Sequence, residues 1–222
     1  MKNHLFVKIF VILGMYSSCR DYEECPDSLV INAIIEPSKL EYNVGDTIKI
    51  ISKFGKWVDG FNSEGKLIGQ FNTEGLNWFP ITLISRTDTV EDRPSTIKEY
   101  FDFIEDVNYN YHLYTLSDNS SGLDGEYNFF QDTFELKIKL VAKSEGTFVI
   151  LQKSGIELFG EQDFPGKCPG RGLYGWVNMN EGSKNNIYLL HESPDSTWNY
   201  WTFTDSLEYF QHNGGFCFKV KP

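Results

Sequence analysis

The sequence predicts an all-β protein: an antiparallel sandwich with one or two short helices near its C-terminus. Three observations predict it. Short aromatic and β-branched runs recur along the chain, punctuated by clusters of Gly, Asn, Asp and Ser. The stretch Phe134-Glu135-Leu136-Lys137-Ile138-Lys139-Leu140 alternates with a strict period of two, placing one face on a core and the other in water. No strand–helix–strand rhythm appears, which disfavours a parallel α/β sheet. Composition agrees, since 41% of the 222 residues are apolar and 16% aromatic, enough for a sizeable core.

Residues 29–35 form a compact apolar strand ended by Glu36-Pro37-Ser38. Gly45-Asp46 supplies a turn, and Ile48 and Ile50 share one face of the strand that follows. Phe61-Asn62-Ser63-Glu64-Gly65 is echoed by Phe71-Asn72-Thr73-Glu74-Gly75, ten residues on. That offset is one strand plus one turn, so the echo predicts successive hairpins. A calcium loop would need the Asp-x-Asp/Asn-x-Asp/Asn-Gly spacing, which neither copy has.

Phe79, Ile81 and Leu83 alternate around Pro80, a residue tolerated at a strand start or edge. Tyr109, Tyr111 and Leu113 alternate next, and residues 118–125 read as a loop. Glu145-Gly146 turns the strand at 134–140 into a second one at 147–153, predicting a hairpin. Residues 159–171 are loop-like, with Pro165-Gly166 and Pro169-Gly170. Ser183 is placed to cap a helix over 184–192. Thr204 or Asp205 is placed to cap another over 206–212, with Leu207 and Phe210 on one face and Asn213-Gly214 closing it. Phe216-Cys217-Phe218-Lys219-Val220 is the last strand.

The N-terminus has its own logic. A basic start with Lys2 and Lys8 precedes the apolar run 9–15 and the small residues Ser17 and Ser18, the order of a secretory signal. A membrane-spanning helix needs roughly 20 apolar residues, so this run is too short for a permanent span. Cys19 then resembles the invariant cysteine of a bacterial lipobox. That resemblance implies a diacylglycerol on the thiol and cleavage just before it, with residues 1–18 as signal peptide. Tyr16 departs from the usual aliphatic residue of the motif, as looser lipoboxes in Bacteroidota do. An ordinary signal peptide with Cys19 incidental is the alternative.

Arg20-Asp21-Tyr22-Glu23-Glu24 resembles the acidic surface-export signal of Bacteroidota lipoproteins; a plain solvated tether has the same composition. Tyr42-Asn43-Val44-Gly45-Asp46-Thr47-Ile48 is similar to the early strands of Ig-like domains in bacterial envelope lipoproteins. Together these resemblances imply residues 19–28 as tether, 29–222 as one Ig-like β-sandwich, and an address on the outer membrane. They bring no catalytic residues.

Charge narrows the partners. Loss of residues 1–18 removes Lys2 and Lys8, so 18 basic residues face 31 acidic ones and the net charge moves from −11 to −13. Nucleic-acid binding depends on neutralising phosphates with Lys and Arg, so that class is disfavoured. A broad basic face on anionic lipid is disfavoured for the same reason. The expected partners are the membrane, through the N-terminal lipid, and a glycan or an envelope protein. Neither a cofactor nor a metal is expected, since no CxxC or Cys/His cluster exists.

Three cysteines remain after lipidation: Cys25, Cys168 and Cys217. An oxidising envelope favours one disulfide. Cys168–Cys217 is the preferred pair and Cys25–Cys168 its rival.

The candidate ligand site is the aromatic cluster Trp198-Asn199-Tyr200-Trp201-Thr202-Phe203. Exposed Trp and Tyr faces stack on pyranose C–H faces, while the competing reading buries the same rings in the core. Trp57 and Trp78 carry both readings too. His191, Glu192 and Asp195 are the titratable cluster a hydrolase would use, although helix C-termini also favour His. His112 and His212 read as structural. The sequence holds no nucleophile elbow, His-Glu-x-x-His or phosphate-binding glycine loop.

Overall fold

The computed structural model describes residues 25–90, 97–115, 121–156, 173–182, 185–203 and 205–222. Its strands are β1 (Ser28–Glu36), β2 (Glu41–Asn43), β3 (Thr47–Gly55), β4 (Trp57–Phe61), β5 (Leu67–Asn72), β6 (Ile81–Arg86) and β7 (Phe101–Ile104). They continue as β8 (Tyr111–Thr115), β9 (Ser121–Gly125), β10 (Asn128–Phe130), β11 (Thr133–Ala142), β12 (Gly146–Ile156), β13 (Leu173–Met179) and β14 (Gly215–Lys221).

These 14 strands join into one curled sheet with two facing layers. In the first layer β11, β3, β1 and β13 are successive neighbours, with β4 and β5 continuing beside the start of β1. In the second, the order is β2-β14-β12-β6-β9-β8. β12 belongs to both: its first part pairs with β6 and β14, and Ser154, Gly155 and Ile156 pair with β13.

The expected all-β sandwich is there, but the sheet is mixed rather than antiparallel. β1 runs parallel to β13, and β14 parallel to β2. The strands joined by Glu145-Gly146 do not pair with each other either. β11 lies against β3 and β12 against β6 and β14, so this connection crosses from one layer to the other. Local turn residues predict a reversal, whereas the layer a strand joins is set by burial. Both edges of β11 already carry partners, with β3 on one side and β10 and β7 along the other.

Alternation builds the core. Leu29, Ile31, Ala33 and Ile35 of β1, Ile48, Ile50 and Phe54 of β3, and Phe134, Leu136, Ile138 and Leu140 of β11 all point inward. Phe148 and Ile150 of β12 and Phe216, Phe218 and Val220 of β14 meet them from the opposite layer. Phe148 lies edge-on to Phe101 at 5.0 Å and Phe218 edge-on to Tyr42 at 5.3 Å. Full burial of such a side chain is worth about 1.5–3 kcal/mol, which makes these rings the main cohesion between layers.

The outer face of the second layer is covered as well. Leu83, Val149, Leu151 and Cys217 lie under Leu189, Leu190, Trp198 and Phe210, supplied by the helical segments after β13. Those segments are irregular. The expected helix over 184–192 is a 3₁₀ stretch, Ile187–Glu192, with no side-chain cap at Asn186. Residues 183 and 184 lie outside the described residues. Ser196–Phe203 is α-helical, and Leu207–Gln211 is a π-turn. Asp205 caps the π-turn as expected, its Oδ1 accepting from the Glu208 amide at 3.1 Å. Leu207 and Phe210 do not share a buried face: Phe210 is fully buried and Leu207 is exposed. The wider π-turn changes the angular spacing on which an i, i+3 stripe depends.

The sequence echo makes the same local structure twice. Asn62 Oδ1 accepts from the Glu64 amide and Asn72 Oδ1 from the Glu74 amide, and Gly65 and Gly75 both take positive φ. Only the first copy closes a hairpin, β4–β5. The second turns the chain toward Trp78, which bridges to Ile156. The predicted loop at 159–171 lies outside the described residues, as do residues 116–120.

Strand directions gather one end of the sandwich. The start of β1, the end of β3, the β10–β11 turn, the starts of β6, β8 and β13 and the ends of β9 and β12 all lie there. Connections at this end build the site.

Candidate functional site

A cleft of about 490 Å³ opens at that end. Leu76 to Phe79 line one side, Asn110 to His112 and Asp124 to Tyr127 another, and Phe134 the back. Its floor is aromatic. Phe54, behind the floor, meets Trp78 at 5.0 Å and Tyr127 at 5.1 Å edge-on, and stacks on Phe134 at 5.2 Å. Such pairs resist rearrangement because ring quadrupoles favour these offsets.

The polar wall comes from the β8–β9 ladder. Tyr111 faces Gly125 and His112 faces Asp124 across it. Next to them, Asn110 Nδ2 donates to Glu126 Oε2 at 2.8 Å, and the Glu126 amide donates to the Asn110 carbonyl at 3.1 Å. Gly125 leaves room that a side chain would fill, since a Cβ there would stand 3.0 Å from Leu136. Residues 121–125 were expected to be loop. They pair with β6 on one side and β8 on the other, and Ser121, Gly122 and Leu123 are buried. Two neighbours outweigh the low strand propensity of Ser-Gly-Leu-Asp-Gly.

Tyr111 also closes the sandwich. Along the edge of β11 away from β3, β10 covers residues 133–135 and β7 covers 139–142. Lys137 falls in the gap, and the Tyr111 hydroxyl donates to its carbonyl oxygen. Tyr109 reinforces this, its hydroxyl donating to Glu135 Oε1 at 2.6 Å. Burial, and the neighbouring Glu135 carboxylate, push the Tyr109 phenol above its ordinary range. Hydrogen bonds from Lys137 and then Tyr109 pull Glu135 down to about 2.

Three polar atoms in the cleft lining are buried without a hydrogen-bond partner from the protein: Asp124 Oδ1, an acceptor, Trp78 Nε1, a donor, and the Tyr127 hydroxyl. Burial holds the Asp124 carboxyl above the usual carboxylate range, with His112 pulling weakly the other way. The Tyr127 hydroxyl lies beside Ser52 and Ser154, and burial pushes it up to about 12. The lining holds two carboxylates and no Lys or Arg. Chemically it offers stacking surface, acceptors, amides and the His112 imidazole, with no Lys or Arg to complement an anion.

The residues singled out in the sequence are scattered around this cleft. Trp78 is in its floor, 5% exposed, and His112 in its wall. The sequence alone reads His112 as structural, because nothing local shows that Asp124 stands opposite. Trp198 packs on the second cluster, while Tyr200 is exposed and lies 5.8 Å from Tyr209. The Trp201 side chain lies outside the described residues. Because this segment is helical, neighbouring aromatics fan around an axis instead of alternating between two faces.

His191 and Glu192 are exposed on the helical layer, away from the cleft. Glu192 Oε2 pairs with Lys219 Nζ at 2.8 Å, and Asp195 Oδ1 accepts from the Thr197 amide at 2.8 Å. His212 stacks on Trp176 with ring centres 3.7 Å apart.

Cys19 and Cys168 lie outside the described residues. The preferred Cys168–Cys217 disulfide is not formed: Cys217 is a free thiol, wholly buried beneath the helical layer. An alternating strand places Phe216 and Phe218 inward and so turns Cys217 to the opposite, helix-covered face. Cys25 is in a disulfide whose partner lies outside the described residues. Among the described residues no cluster of His, Cys, Asp and Glu fits a metal ion.

No protein family and no curated relative matches the sequence. Solved structures similar to the chain include the human F-spondin reeler domain, at 8% identity and a TM-score of 0.33 over 69% of this chain and 88% of that one. A cohesin module from a Clostridium perfringens family 33 glycoside hydrolase has 13% identity and a TM-score of 0.32, over 69% of this chain and all (100%) of its own. A type II cohesin domain from the cellulosome of Acetivibrio cellulolyticus has 8% identity and a TM-score of 0.30, over 68% and 91%.

Proposed function

We propose that this chain is a lipid-anchored binding module of the bacterial cell surface, and that its cleft holds a neutral or amine-bearing polyhydroxylated ligand such as a sugar. The carrying observation is the cleft lining: an aromatic floor with an orphaned donor, Trp78 Nε1, and an orphaned acceptor, Asp124 Oδ1. Buried polar atoms are rarely left unmatched, and a hydroxyl can both accept and donate. Two carboxylates, with no Lys or Arg in the lining, oppose acidic ligands. The lipobox-like Cys19, the signal-like residues 1–18 and the acidic stretch after them support the anchor and the address.

Calorimetric titration with neutral, amine-bearing and acidic oligosaccharides tests the ligand. Binding restricted to the first two classes, and weakened at least tenfold by Asp124→Asn, is expected. Equal binding by Asp124→Asn, or a preference for acidic sugars, overturns the assignment. Incorporation of a fatty-acid probe by the wild type but not by Cys19→Ala tests the anchor separately.

A hydrolytic reading has one observation in its favour: Asp124 and Glu126 line the same cleft, and burial raises the Asp124 carboxyl. A pair of carboxyl groups flanking the bond is what glycoside hydrolysis requires. Release of product from a bound oligosaccharide, abolished by Asp124→Asn, would replace binding with catalysis.

A further inference from the structure

All the Trp and Phe side chains counted as exposed among the described residues gather at the cleft end of the sandwich. They are Trp57 at 56%, Phe79 at 38%, Phe129 at 40% and Phe130 at 72%. Pairing explains how they come together. Phe129 and Phe130 precede the two-residue β10–β11 turn, where Gln131 and Asp132 both take positive φ as a type I′ hairpin demands. Trp57 follows Lys56, whose amide donates to the Asp132 carbonyl at 2.9 Å and whose ammonium pairs with the Asp132 carboxylate at 2.9 Å. Phe79 precedes β6 and lines the cleft.

The described chain starts at this same end. The Asp27 amide donates to the Phe61 carbonyl at 2.9 Å, and Ser28 opens β1 opposite Phe61. Cys25 stands six positions after Cys19, with five residues between them. Even fully extended, that six-residue step reaches only about 20 Å. A lipid on Cys19 therefore holds this end, and no other, close to a bilayer.

We infer that the cleft end of the sandwich rests on the membrane surface, with Trp57, Phe129 and Phe130, flanked by Phe79, entering the lipid interface. The inference rests on the lipid anchor proposed above. Trp favours the headgroup region, where its apolar ring meets lipid and its N–H meets water, and Phe side chains add apolar area to an interfacial face. Acyl chains and an apolar patch together also make a firmer attachment than a single chain alone. The excess of acidic residues makes a zwitterionic surface the better partner than an anionic one. The mouth of the cleft then lies beside the bilayer.

The acylated full chain, with its acyl mass verified, is reconstituted into phosphatidylcholine vesicles whose acyl chains are brominated just below the carbonyls. Brominated lipid is expected to quench a tryptophan component that Trp57→Phe removes. Phe129→Ser with Phe130→Ser should lose most of that quenching while acyl mass and near-ultraviolet dichroism stay unchanged. Equal emission in brominated and plain lipid from verified acylated protein overturns the inference and leaves the anchor standing. So does a dimer in sedimentation that Phe130→Ser dissociates, which would assign the patch to a second copy. Absence of the acyl mass removes the anchor, and the inference with it.

Discussion

His112 stands directly opposite Asp124 across the β8–β9 ladder, so an imidazole and a carboxyl share one wall of the cleft. Burial raises the Asp124 carboxyl above its ordinary 3.8. The protonated form is thus favoured by folding, and that contribution is whole at pH values below the unfolded value. It is lost as pH rises through the raised folded value. Asp124→Asn is expected to raise the melting temperature at pH 7 and to leave it nearly unchanged at pH 3. A variant less stable than wild type at pH 7 by scanning calorimetry would contradict this.

Tyr111 and Lys137 make the second prediction. The tyrosine hydroxyl serves a carbonyl that falls between two ladders. Tyr111→Phe keeps the ring and removes the donor, so urea unfolding should show a loss of about 1–2 kcal/mol. No loss would mean that water serves this carbonyl equally well.

Gly215 sets how closely the helical layer can approach the sheet. A Cβ there would stand 2.5 Å from the Phe210 ring, which is fully buried. Gly215→Ala should destabilise by about 1–3 kcal/mol through overpacking. The companion Phe210→Leu in the same chain should recover part of that; additive losses would argue against this contact as the cause.

The stacked pair Trp176–His212 gives a pH signature opposite to that of Asp124. Burial lowers the His212 imidazole below 6.5, with Asp205 pulling weakly upward. Its neutral form is favoured by folding, so the associated stability is present above pH 6.5 and is lost as pH falls through the lowered value. His212→Phe should flatten that acid limb. An unchanged slope in that window would place the titration elsewhere.

Cys217 should be silent toward a thiol reagent in the native protein and react fully in guanidinium. It is wholly buried, and burial pushes its thiol well above the ordinary value. Fast native labelling, absent from Cys217→Ala, would show that the helical layer lifts off.

Much of the fold was legible where one strand meets one core. The alternation at 134–140 and the strand after Gly45-Asp46 appear as read, because a half-buried strand writes its burial into every second residue, and the final strand at 216–220 is where it was read although both its faces are covered. The Asn-x-Glu-Gly echo likewise gave its turn twice, since an Asn side chain bonding its own backbone is a local event. Ser121-Gly122-Leu123-Asp124-Gly125 failed as a prediction because its strand character comes from β6 and β8. Trp198 drew attention as an aromatic run, yet its neighbours along the chain cannot say that Leu189 and Phe210 lie against it.

Residue order by itself determined which segments are extended, which faces are apolar, and the net acidity of the chain, since each follows from side-chain chemistry and a period of two. Only the tertiary structure decided which layer β12 joins, that Cys217 faces the helices, and that Trp78, His112 and Asp124 line one cleft. Those outcomes depend on register between strands distant in sequence, where a shift of one residue would turn every side chain to the other face.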